Sequence, residues 1–198
     1  MNSVTPPGED PLPRDERRRR TEAAILKAAQ QQFGDVGFER TTIRSVAAAA
    51  SVDPALVMQH VGSKEGLFAA VGRRQRSHTR VLQAALEDVP QAALDDLFGD
   101  FEDPRSRTGA LALMRSCLTH QGAASVLRDD VMCEIHDAVA ARIGGPDAEL
   151  RASLLGATMI GLAISRYLLQ LPVLSTADRA DVERLVLPML RTLVEPTA

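Results

Sequence analysis

Residues 41–68 read TTIRSVAAAASVDPALVMQHVGSKEGLF. Thr41 or Thr42 can cap a helix there. Ile43, Val46, Ala47 and Ala50 follow at i, i+3, i+4 and i+7, which gives that helix one apolar face. Ser51 and Val52 form a short turn. Asp53 is a good N-cap and Pro54 stands at the first helical position, where its missing N–H costs nothing, so a second helix runs to about Val61. Gly62 breaks that helix, and Ser63 caps another beginning at Lys64, with Leu67, Phe68 and Val71 inside. Two short helices joined by a tight turn have helix-turn-helix spacing, a unit with little chemistry of its own.

Working outward, residues 1–13 carry four prolines and no apolar periodicity and read as a disordered tail. Five arginines lie within residues 14–20. Arg17, Arg18, Arg19 and Arg20 either form a basic arm for a minor groove or make the solvated start of helix one. From Thr21 the residues Ile25, Ala29, Gln32 and Phe33 recur at helical spacing, and Gly34 and Gly37 end that helix. Beyond Val81, helices are expected at 90–101, 109–120, 123–143, 147–169 and 177–194, with a loop at 101–108. No strand alternation is visible. The fold class is all-α: a three-helix helix-turn-helix domain at 14–62, and a larger helical bundle at 63–198 whose first helix links the two.

Aromatic residues make up only 3% of the chain and hydrophobic residues 45%, so core volume must come from aliphatic side chains, as in packed helices. The net charge of −3 hides an asymmetry: residues 1–80 carry +4 and the remainder −7. A basic first part on an acidic remainder suits contact with polyphosphate by the first part only. Two cysteines make no disulfide framework, and no secretory leader is seen. The longest charge-free apolar run, between Arg151 and Arg166, is shorter than a membrane span, so a cytoplasmic location without membrane contact is expected.

Ala29, Phe33, Gly37, Thr41, Thr42, Ala47, Ala50, Val52, Leu56, His60, Lys64 and Leu67 together resemble the DNA-binding domain of the TetR family of transcriptional regulators. The resemblance covers about residues 24–71, and the remainder is similar only in being helical and of suitable length. It implies double-stranded operator DNA as partner, with DNA contacts at Thr42, Arg44, Pro54, Ala55, Met58, Gln59, His60 and Lys64. Physical reading of the same residues agrees. Gln59 can pair with adenine in the major groove, and Ala55 and Met58 can touch thymine methyls. Thr42 and Arg44 stand at a helix N-terminus suited to phosphate. Lys64 sits at the opposite flank. His60 either donates to phosphate or packs between helices. Ser51 stands where the family usually has Gly, which costs roughly 1–2 kcal/mol if its backbone is left-handed. Met58 replaces a frequent aromatic and Val61 a frequent Phe.

In the remainder, Ala157, Gly161 and Ser165 form a small-residue stripe at i+4 spacing. With Val182, Leu185, Val186, Met189 and Leu190 it reads as a homodimer interface, in line with the resemblance; a purely intramolecular core is the other reading. The resemblance also implies a ligand pocket. Its candidates are Phe98, Phe101, Met114, Leu118, Met132, Met159 and Arg166, with Leu111, Ile135 and Leu162 beside them. A small apolar or amphipathic effector is expected, and Arg166 could hold an acidic group of it or pair with a carboxylate across the interface. Cys117 with His120 and Cys133 with His136 are each three apart and could form a Cys₂His₂ metal site, though ordinary helix positions explain them as well; no metal and no cofactor are expected. No catalytic triad order, phosphate loop or HExxH motif occurs, so no enzyme is expected. The function expected is a ligand-responsive regulator, most often a repressor. The alternative is a helical regulator controlled by a protein partner, with no small-molecule ligand.

Overall fold

Helix α1 (Arg14–Arg40) is the spine of the N-terminal half in the computed structural model, which describes residues 13–75 and 79–195. The expected tail at 1–13 therefore lies almost wholly outside the described residues. The arginines at 14 and 17–20 belong to the exposed first turns of α1, not to an extended arm. The helix also passes through Gly34 and kinks only at Gly37, whose φ of 81° is open to glycine. Its inner face buries Ile25, Leu26, Ala28, Ala29, Phe33 and Phe38.

Helices α2 (Ile43–Ala50), α3 (Pro54–Val61) and α4 (Lys64–Gln75) fold against that face. Phe33, Phe38 and Phe68 form an aromatic centre, with Phe68 edge-on to the other two at 5.0 and 5.1 Å. Thr41 is fully buried, and its hydroxyl donates to the Gly37 carbonyl at 2.8 Å, so the kink is satisfied internally. Four side chains from beyond this unit complete its core: Leu113, Ala123, Val126 and Leu127.

After the short α5 (Thr79–Gln83) and a 3₁₀ turn at Leu86–Asp88, the bundle is built by α6 (Val89–Glu102), α7 (Pro104–Thr119), α8 (Gln121–Val126), α9 (Cys133–Ile143), α10 (Ala148–Ala163), α11 (Pro172–Thr176) and α12 (Arg179–Val194). Single π-helical stretches at Leu127–Met132 and Ile164–Leu168 join α8 to α9 and extend α10. No strand occurs among the described residues. The loop expected at 101–108 shrinks to one extended residue. Asp103 carries the carbonyl that accepts from Ser106 and Arg107, and Pro104 opens α7. The break expected at 172–176 is helical as α11. The helix Ala148–Leu168, 21 residues, is by length and composition apolar enough to cross a membrane, contrary to the expectation from its charge-free run. Here it packs in the bundle through Ala152, Leu155, Leu162 and Ala163.

Candidate functional site

The helix-turn-helix is held by its caps. Thr42 Oγ1 accepts from Ser45 N–H at 3.0 Å, and Thr42 N–H donates to Ser45 Oγ at 3.1 Å, a reciprocal capping box. At the other end Ser51 is left-handed (φ 55°, ψ 43°). Ser51 N–H donates to Ala48 O at 3.2 Å and Val52 N–H to Ala47 O at 3.0 Å, the paired bonds of a Schellman stop. Serine therefore bears the backbone strain that glycine would avoid. Asp53 Oδ1 accepts from Ala55 N–H at 2.7 Å and starts α3 with Pro54 behind it.

Val46, Ala47 and Val57 are wholly buried and set the angle between α2 and α3. Ile43 and Leu56, expected as part of this clamp, are only half-buried. The opposite face of α3 is open: Pro54, Ala55, Met58 and Gln59 are exposed, as are Thr42 and Arg44 on α2. His60 is half-buried and, with Gln59 and Leu56, lines a polar cleft whose other wall is the start of α1, with Arg14, Arg17 and Arg18. Those arginines thus stand beside α3.

Lys64, expected at the opposite flank, also holds the head together. Its ammonium donates to the Phe38 and Glu39 carbonyls at 3.1 and 3.3 Å and lies 4.4 Å from the centre of the Phe38 ring. Two of its three hydrogens are thereby engaged at the end of α1. Gly66 makes the α3–α4 junction possible, since a Cβ there would sit 2.1 Å from the Val61 carbonyl oxygen.

The second feature is a cavity of about 80 Å³ inside the bundle. Of the expected lining residues, Phe101, Met114, Met132, Ile135 and Met159 are in its wall. Leu118 stands on an adjoining outer groove that shares Met114, Met132 and Ile135 with the cavity. Phe98, Leu111, Leu162 and Arg166 do not line it. Phe98 is buried under the guanidiniums of Arg166 and Arg179, at 5.7 and 4.8 Å from its ring centre. Arg166 is 7% exposed and makes four hydrogen bonds: with Tyr167 at 3.2 Å, Glu102 at 3.2 Å, and the carbonyls of Leu174 and Ala177 at 2.5 and 2.9 Å. It ties α6 to α11 and the turn before α12.

Sequence reading missed the charged members of the cavity, Asp96 and Asp100. The signal was present: Ala93, Asp96, Leu97, Asp100 and Phe101 fall at i, i+3, i+4, i+7 and i+8, one face of α6. The Asp96 side chain is 10% exposed and lies 3.7 Å from Arg80 Nη1. Burial pushes its carboxyl up to about 6, against the pull of Arg80 and a Val81 backbone hydrogen bond and with a push from Asp95.

The two Cys-His pairs do not converge. Cys117 and Cys133 contact the carbonyls of Ala123 and Asp129, His120 lies 3.4 Å from Glu39, and His136 is hydrogen-bonded to Asp137, Ser153 and the Glu149 carbonyl. Among the described residues no three His, Cys, Asp or Glu are grouped to hold a metal ion.

Residues 25–71 match the family of bacterial regulatory proteins, tetR family, and residues 87–194 match the tetracyclin repressor-like C-terminal domain. The HTH-type transcriptional repressor Rv3405c of Mycobacterium tuberculosis is 39% identical over 80 residues, 39% of this chain and 43% of that protein, so the match spans under half of the relative's length. A TetR-family regulator from Streptomyces coelicolor is similar over 94% of this chain and 99% of its own, with 28% identity and a TM-score of 0.69. A SmeT–triclosan complex shares the fold over 90% of this chain and 96% of its own, at 20% identity and a TM-score of 0.63. The chain belongs to the TetR family, a non-enzymatic family of DNA-binding transcriptional regulators, and carries a helix-turn-helix head and a helical C-terminal domain.

Proposed function

We propose that the chain is a homodimeric repressor that leaves its operator when a small, largely apolar molecule occupies the bundle cavity. The observation that carries the DNA half of this reading is the open face of α3. Pro54, Ala55, Met58 and Gln59 are exposed while Val57 on the opposite side is buried, so the helix is anchored by one face and free to enter a major groove by the other. Thr42 and Arg44 flank it for phosphate, and His60 and the α1 arginines extend the same surface. Lys64 serves here as a positioning residue, since its amine ties α4 to the end of α1. Repression is the sense taken from the Mycobacterium relative, which is named a repressor.

The effector half is supported by the cavity, which a regulator controlled only by a protein partner would not need. Neighbouring residues of α7 face different ways: Leu113 belongs to the head's core, and Met114 lines the cavity. A ligand that shifts α7 therefore acts on the packing of the head. The SmeT–triclosan complex is a case of the same fold with a small molecule in its name.

A dimer is supported by the exposed apolar side chains of α10 and α12: Leu150, Leu154, Leu185 and Met189 are 45–67% exposed, beside the exposed Ala157 and Gly161. Val182 and Leu190, expected in that interface, are instead buried in the chain's own core. Acting on chromosomal DNA places the protein in the cytoplasm.

Selection of bound sequences from a random DNA pool tests the reading. A two-fold symmetric site is expected, and absence of any sequence-selective binding across salt concentrations refutes it. Gln59→Ala is expected to cost about 1–3 kcal/mol of discrimination at one base pair per half-site, measured by competition with single-base variants of the selected site.

A further inference from the structure

We propose that α11 and the turn before it are a clasp of the homodimer, covered in the assembled protein by the second copy of this chain. This rests on the dimer reading above and adds a part of the interface that the α10–α12 stripe does not contain.

Among the described residues, seven of the eleven exposed large apolar side chains fall between positions 150 and 189. Leu150, Leu154, Leu185 and Met189 belong to α10 and α12. The other three, Leu169, Leu171 and Val173, follow one another at the turn into α11, and Val173 is the most exposed of the eleven. A ridge of this kind orders water that a covering surface would release.

The ridge is held in place. Gln170 has a positive φ of 52°, which is rare outside glycine, and Leu171 N–H closes the turn on the Ser165 carbonyl at 3.0 Å. Arg166 ties α11 down from within through the Leu174 and Ala177 carbonyls. Between α11 and α12 lies an open groove of about 420 Å³, walled by Pro172, Leu174, Ala177, Val182, Leu185 and Val186. Its charged member, Asp181, pairs with Arg184 at 2.8 Å.

Continuity, size and charge name a second copy as the occupant. Leu185 lines this groove and also stands on the α12 face proposed for the dimer, so the two surfaces are continuous. The stripe alone consists of Leu150, Leu154, Ala157, Gly161, Leu185 and Met189, well short of the roughly 20–30 residues a side of a standard stable interface, and α11 extends it. In a two-fold contact a surface meets its own charges again. Beside this groove they are neutralised within the chain, Arg184 by Asp181 and Arg179 by Glu183 and Asp95, so two copies can approach. An apolar ridge next to an apolar groove is also self-complementary, as a two-fold contact requires.

The test uses the full-length protein. It reads the dimer dissociation constant by sedimentation equilibrium and the rate at which an introduced thiol reacts with N-ethylmaleimide. Val173→Glu is expected to raise the dissociation constant at least about tenfold, while Val36→Glu, at an exposed apolar position of the head, leaves it unchanged. Both side chains project from the protomer, so the helical circular dichroism of either variant should match that of the unsubstituted chain. The labelling experiment predicts an inverted order. In the single chain Val173 is 84% exposed and Val36 43%, so an uncovered Val173→Cys variant would label faster than a Val36→Cys variant. With the second copy in place the order is expected to reverse, and to return on dilution below the dissociation constant. Peptide mass separates these sites from Cys117 and Cys133. A chain that sediments only as a monomer overturns both the dimer reading and this inference. A dimer that Val173→Glu leaves intact, or in which position 173 labels faster than position 36, overturns the inference alone and confines the interface to the α10–α12 stripe.

Discussion

The head and the bundle are both helical, yet they are specified differently. In the head both ends of α2 and the starts of α3 and α4 are fixed by local devices: the Thr42–Ser45 box, the left-handed Ser51, the Asp53–Pro54 start and the Ser63 cap, whose hydroxyl accepts from Gly66 N–H at 2.9 Å. In the bundle most caps make no side-chain hydrogen bond, and position is set by long-range polar pins instead: Arg166 on Glu102, and Arg142 on the Val81 and Ala84 carbonyls. A surface that must present a few atoms to a fixed DNA lattice is built from short-range rules. A chamber that must yield to a ligand is held by fewer, longer ties.

Gly66→Ala attacks the short-range side of that contrast and carries the largest expected effect. Its Cβ would meet a backbone oxygen at 2.1 Å, so α4 must move away from α3. A loss of about 3 kcal/mol is expected by chemical denaturation, with operator binding failing first on warming. Unchanged stability would mean that the α3–α4 junction is not the rigid element described here. Arg166→Ala attacks the long-range side. It takes the cation from Glu102, which keeps only its Tyr167 hydrogen bond, and leaves two carbonyls without their donor; about 2–3 kcal/mol of destabilisation is expected, with Arg166→Lys recovering only part of it.

Asp96→Asn separates function from stability. The folded carboxyl titrates near 6 against an ordinary 3.8, so the folded state favours the protonated form. The stability this group allows is fully present below about 3.8 and is lost as pH rises through about 6. The asparagine variant should therefore gain about 1–2 kcal/mol at pH 8 and almost nothing at pH 4. Thermal melts across that range decide it, and parallel curves for the two proteins would contradict the buried placement of Asp96. The smallest effect is expected for Ser51→Gly. Relief of the left-handed backbone outweighs the added freedom of the unfolded chain by about 0.5–1 kcal/mol, visible as a slightly raised melting temperature.

The same contrast explains what could be read from sequence. Caps and turn residues act on neighbours three or four positions away, so Thr42, Ser51, Asp53 and Ser63 were legible one by one. Lys64 was not, because the carbonyls it caps lie 25 and 26 residues earlier and meet it only after α1 kinks at Gly37. Arg166 was misread for a related reason: a lone charge in an apolar run looks available until Glu102, 64 residues away, is brought alongside. Two features are legible at short range. Asp103-Pro104 is the same helix-opening pair as Asp53-Pro54, so the sequence marks a helix start inside the loop expected at 101–108. Asp96 and Asp100 interrupt an apolar face at regular spacing, and Phe98 lies off that face.

The closure of the head's core by Leu113, Ala123, Val126 and Leu127 has a consequence for folding cooperativity. The two stretches that match separate family descriptions, 25–71 and 87–194, do not correspond to two independent folding units. Residues 14–75 alone would leave the apolar seats of these four side chains open to water, and α7 and α8 alone would expose the side chains that fill them. Head and bundle should therefore unfold in one shared calorimetric transition, and native-state hydrogen exchange should show α1, α4 and α7 opening as a single foldon.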